Sequence, residues 1–139
     1  MTPHSSAALK QYASVQVQSG VTEATPHRLT AMLFDGALAR IGRAKGHMQR
    51  GELAAKGEAI SATIAIVGTL GGSLRREAAP ELVDRLAALY DYILRRLIAA
   101  NADNRVDYLD EAGRLLATLA EAWHAIDPAK AALDQAVNG

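Results

Sequence analysis

The chain has no cysteine among its 139 residues, which excludes disulfides and thiolate metal sites. It has no net charge either, fifteen Lys and Arg being balanced by fifteen Asp and Glu. No electrostatic footprint for nucleic acid or an anionic membrane surface therefore stands out. The pairs Arg75-Arg76 and Arg95-Arg96 are too short to act as basic tracts and read as solvated helix flanks. Strand signals are nearly missing, with period-2 alternation only at Val15–Val17. The opening MTPHSSAALKQY lacks the apolar core of a signal peptide. A chain of this length buries about two-thirds of its unfolded surface, so one domain, stable without staples, is expected. These absences together predict a soluble, cytoplasmic, all-α protein.

What is present is apolar surface in unusual amount. Residues Ala59 to Leu74 carry no charge, although 22% of the chain is Asp, Glu, Lys or Arg. Ile60, Ile64, Val67 and Leu74 recur there at helical spacing and predict a core stripe. Ile66, Leu70 and Ala59 lie roughly 80–120° away at 100° per residue, where a surface helix would carry charge. The run is shorter than a bilayer span and contains Ser61, Thr63, Thr69 and Ser73, so membrane insertion is not expected.

Four helices are predicted. The first opens at Thr25-Pro26, with Thr as N-cap and Pro at the first helical position, and closes at Gly51. The second runs from about Glu52 to Leu74, the third from Pro80 to about Asn101, and the fourth from about Val106 to Ile126, before Pro128. Short links favour an antiparallel up-down four-helix bundle over residues 25–126, preceded by a segment 1–24 and followed by a tail 127–139. Gly36, Gly42, Gly46, Gly57 and Gly68, costly inside helices, suggest close helix approach. In the third helix, Leu82, Leu86, Leu89, Ile93, Leu97 and Ala100 make a core face. Val83, Ala87, Tyr90, Leu94 and Ile98 add a second apolar row on one flank, beyond the stripe a bundle helix requires.

Two readings account for that excess. Further segments or a dimer partner could cover it, as in a client-free dimerising structural bundle; alternatively it forms a groove for a partner peptide. Tyr90 is as consistent with an ordinary core aromatic as with a groove. The groove reading takes Ile66, Leu70, Val83, Tyr90, Leu94 and Ile98 as lining, with Tyr12, Val15 and Val17 of the N-terminal segment as a displaceable lid. Catalytic and metal readings are weaker. Glu121 and His124 form one Glu-x-x-His pair, whereas di-iron bundles need two such pairs and two further inward Glu. His27 is expected in an exposed first turn, and His4, His27 and His47 have no spaced acidic partners that suggest a site. No phosphate-binding loop or nucleophile elbow occurs. A helical enzyme clasping an anionic metabolite is disfavoured because Arg40, Arg43, Arg95 and Arg114 are expected to project outward. No catalytic residue, metal or cofactor is assigned.

The stretches Val21-Thr-Glu-Ala-Thr-Pro-His-Arg-Leu29, Met32-Leu-Phe-Asp-Gly-Ala37, Gly51-Glu-Leu-Ala-Ala-Lys-Gly-Glu-Ala-Ile60, Leu89-Tyr-Asp-Tyr-Ile-Leu-Arg-Arg-Leu97 and Ala122-Trp123 occur in this order. They resemble the flagellin-specific export chaperones of the FliS family, over nearly the whole chain, and Tyr12, Val15 and Val17 resemble that family's N-terminal segment. The resemblance implies a cytoplasmic antiparallel bundle, not an enzyme. It would bind the disordered C-terminal region of flagellin, prevent premature polymerisation and hold the subunit for type III flagellar secretion. Export-gate components are further implied partners, and either a monomer or a homodimer is compatible with the pattern.

Overall fold

The computed structural model describes residues 25–126, which form four α-helices and no strand. Helix α1 (Pro26–Gln49) is capped by Thr25, whose hydroxyl accepts the Arg28 N–H at 3.0 Å, with Pro26 in the first turn. Gly51 then adopts φ +73°, in the left-handed region where a Cβ is penalised, and the chain reverses into α2 (Leu53–Gly72). A seven-residue link leads to α3 (Pro80–Asp103). That helix runs past the expected stop at Asn101, because Asn104 takes the left-handed cap (φ 55°) and its N–H reaches the Ala100 carbonyl. Helix α4 (Val106–Ala125) completes the set.

Each helix packs against two others: α1 on α2 and α4, and α3 on α2 and α4. With short links this is the antiparallel up-down bundle that the spacing predicts. The uncharged run acquires a plain cause. Helix α2 lies between two neighbours, so Ile60, Ile66, Val67 and Leu70 are all buried, and its apolar arc is correspondingly wide. It is long and apolar enough to cross a membrane by length and composition, yet these side chains belong to the bundle's own core. Buried Thr63 and Thr69 donate to the carbonyls of Ala59 and Ala65 at 2.8 and 3.0 Å, which satisfies their hydroxyls within the helix.

Two expectations about packing need correction. The predicted core face of α3 is buried only at Ile93, Leu97 and Ala100, joined by Tyr90; Leu86 and Leu89 are half-buried, and Leu82 is 56% exposed. The register explains this. Lys56 at the start of α2 meets Asn101 and Asn104, while a Cβ on Gly71 at its end would lie 3.9 Å from that of Tyr90. The last turn of α2 thus sits opposite Tyr90, and Pro80–Leu89 run past it. The glycines also differ from expectation. Nothing lies within 4 Å of a Cβ built on Gly42, Gly57 or Gly68, so close helix approach does not account for them.

Candidate functional site

At 100° per residue, Gly57, Ile64 and Gly68 fall within about 40° of one another on α2. They form a line beside the α3 contact. The two glycines leave open space on either side of half-buried Ile64. Across from them α3 presents half-buried Leu94 and Ile98, which is 57% exposed. Leu53, 62% exposed, stands at the upper end. The result is an uncharged furrow between α2 and α3, floored by side chains already packed on the core.

The predicted groove residues are not all in this furrow. Leu94 and Ile98 line it. Ile66, Leu70 and Tyr90 are buried in the core cluster, and burial pushes the Tyr90 phenol above its ordinary pKa. Val83 is half-buried on the part of α3 beyond the end of α2. Tyr12, Val15 and Val17 lie outside the described residues. Sequence reasoning missed Gly57 and Gly68 as furrow walls and assigned Ile64 to the core. The available signal was the line 57, 64, 68, which runs on to Gly72 without a charge.

Polar contacts fix the walls. The Lys56 side chain, though its residue is only 6% exposed, donates to the Asn101 carbonyl and to Asn104 Oδ1, each at 3.0 Å. A cation there complements the negative end of α3 and satisfies a carbonyl the helix leaves unpaired. On the other flank of α3, Arg96 Nε donates to Glu111 Oε1 at 2.6 Å and Tyr92 Oη to Glu111 Oε2 at 2.7 Å. The Arg96 guanidinium lies 3.9 Å from the Tyr108 ring centroid. The Tyr92 hydroxyl and Arg96 hold the Glu111 carboxyl below the usual carboxylate range, and that same bond raises the Tyr92 phenol.

His27 is not in an exposed turn as expected. It is half-buried, stacked on Trp123 with ring centroids 4.9 Å apart and planes 15° from parallel. Its Nε2 donates to the Trp123 carbonyl at 3.1 Å, and Trp123 Nε1 donates to the His27 carbonyl at 3.0 Å. This reciprocal clasp ties the start of α1 to the end of α4. His124 lies within 3.1 Å of Asp35 Oδ1. Arg43, Arg95 and Arg114 are exposed, while Arg40 is half-buried against the Gly36 carbonyl. Among the described residues, no group of three or more His, Asp or Glu is placed to hold a metal ion.

Among the described residues, the feature that stands out is this apolar furrow. Comparison with known proteins shows the family. The chain is 41% identical over 126 residues to the flagellar secretion chaperone FliS of Salmonella typhimurium, covering 90% of this chain and 93% of that one. It is 39% identical to flagellar secretion chaperone FliSB of Pseudomonas aeruginosa (86% and 94% covered) and 40% identical to FliS of Escherichia coli (81% and 83%). The family model described as flagellar protein FliS matches residues 8–130. The chain belongs to the FliS family, a family of flagellar secretion chaperones and not of enzymes.

Proposed function

We propose that this chain is a cytoplasmic export chaperone that binds the C-terminal segment of flagellin along the α2–α3 furrow. Occupied in this way, flagellin's amphipathic terminus cannot join other subunits before secretion. The observation that carries the reading is the furrow itself: Gly57 and Gly68 leave room beside Ile64, and Ile98 stands open opposite. The buried residues Ile66, Leu70 and Tyr90 form the layer behind it, so a client contacts Leu94 and Ile98 first. Burying side chains of this kind is worth roughly 1.5–3 kcal/mol each. Several anchors therefore offset the 2–5 kcal/mol or more needed to order a disordered client.

Tyr12, Val15 and Val17 are the proposed cover of this furrow before the client arrives, and Val83 extends the apolar path toward the start of α3. The sequence has no nucleotide-binding loop, so release at the export gate rests on competition with components of the export apparatus.

Titration with a synthetic peptide of flagellin's C-terminal segment tests the reading. Saturable binding is expected. Ile98→Asp should weaken it at least tenfold, about 1.4 kcal/mol, with helicity unchanged because the side chain is already exposed; Leu94→Asp with Ile98→Asp should abolish it. A folded Ile98→Asp variant of full affinity would remove the furrow from the binding site. No binding by the parent chain would leave the client-free bundle. Limited proteolysis around residues 10–20, with and without peptide, tests the cover, and cleavage unaffected by peptide would rule out displacement.

A further inference from the structure

The opposite flank of α3 carries a second apolar surface. From the Tyr92–Glu111–Arg96 cross-link, one line descends α3 through Leu89 and Arg85 to Leu82, at steps of three and four residues. A matching line runs along α4 through Leu115, Thr118 and Ala122 toward Ile126. Leu89 and Leu115 are half-buried, whereas Leu82, Ala122 and Ile126 are exposed. An open depression of about 620 Å³ lies at the lower end, lined by Ala79, Pro80, Glu81, Leu82 and Arg85. Arg85 and Arg114 border the surface, and neither is in an ion pair with another described residue. The surface is largely apolar, edged by the Arg85 and Arg114 cations and, at its lower end, by the Glu81 carboxylate, and closed at its upper end by the Glu111 cross-link.

We infer that the chain's own residues 127–139 occupy this surface. The described chain ends at Ile126, beside the start of α3, and Pro128 follows two residues later, which prevents α4 from simply continuing. Beyond it, Ala129, Ala132, Leu133, Ala136 and Val137 recur at i, i+3, i+4, i+7 and i+8, the pattern of one apolar helical face. Lys130, Gln135 and Asn138 fall outside that line. Asp127 and Asp134 supply two carboxylates for a surface edged by two arginines. Length agrees as well: at 1.5 Å per residue, helical turns from Ala129 to Val137 span about 14 Å, close to the roughly 15 Å of Pro80–Leu89. A docked tail would cover Leu82 and Leu89 and leave the α2–α3 furrow open, so the cover and the client site are separate.

The absence of cysteine allows a single-site test. Asn138→Cys, off the apolar face, carries a nitroxide in the full-length, isotope-labelled chain. Selective broadening of the amides of Leu82–Leu89 and Leu115–Ala122 is expected, and Leu133→Asp in the same chain should abolish it. Broadening confined to the last residues of α4, or falling along Gly57–Gly68 and Leu94–Ile98, would overturn the assignment. So would broadening that appears only when spin-labelled chains are mixed with separate isotope-labelled chains, because the occupant would then be a second copy. The readout uses no client, so a failure here is distinct from failure of flagellin binding.

Discussion

The two parts of α3 are equally apolar and differ in what covers them. From Tyr90 onward, Tyr90, Ile93, Leu97 and Ala100 are buried; from Pro80 to Leu89 no residue is, although Leu82, Val83, Leu86 and Leu89 lie there. Above Tyr90, α2 lies alongside, Lys56 holds the helix end, and Glu111 bridges to α4. Below it, α2 has ended. The described cross-link there is Arg76–Asp84, an exposed pair at 2.9 Å that solvent screens. Burial in this bundle is decided by where a neighbouring helix stops, and the same run of leucines serves as core above and as docking surface below.

The largest test of that contrast is a pair of alanine substitutions. Leu97→Ala removes a fully buried side chain and should destabilise by about 2–5 kcal/mol. Leu82→Ala, on the uncovered part, should stay within about 0.5 kcal/mol in a chain ending at Ile126. Denaturant midpoints of both variants measure the difference. Comparable losses would mean that the lower part of α3 is core after all.

Next in size is the anchor that holds the upper part in register. Lys56→Met keeps much of the side-chain volume but leaves the Asn101 carbonyl and Asn104 without their donor. A loss of about 1.5–3 kcal/mol is expected, the range for hydrogen bonds to a charged group. Amide exchange should quicken first in the last turns of α3 and at the start of α2. A variant as stable as the parent would show that packing of Ile93 and Leu97 sets the register without the lysine.

How much of this could be read from the sequence follows the same division. Thr25-Pro26, Gly51 and Pro80 mark helix ends by local chemistry, and each mark holds in the structure. The apolar arc of each helix is also local, since it depends on spacing alone. Which part of an arc is covered is not local, because it depends on the relative lengths and register of different helices. That is why Leu82 read as core and Ile64 as ordinary packing. Lys56 carries no local mark of its role, because its partners lie 45 and 48 residues away. His27 and Trp123, 96 residues apart, meet only once the bundle closes. The one hint was a lone tryptophan near the end of α4, where an antiparallel bundle brings the start of α1.

The smallest expected effect concerns the bridge that marks the boundary on the α4 side. Because Tyr92 and Arg96 hold the Glu111 carboxyl below its ordinary value, the folded state favours the ionised form. The resulting stability is complete above the unfolded carboxylate pKa of about 4.3 and is lost as pH falls through the lower folded value. The parent should therefore exceed Glu111→Gln in melting temperature near neutral pH, and the gap should close progressively below about pH 4. A gap that persists into acid would assign the contribution to shape or to the Tyr108–Arg96 stack. If instead the gap closes, the two parts of α3 separate on chemical grounds too: the covered part carries a proton-linked tie to α4, and the uncovered part carries leucines whose exposure no proton alters.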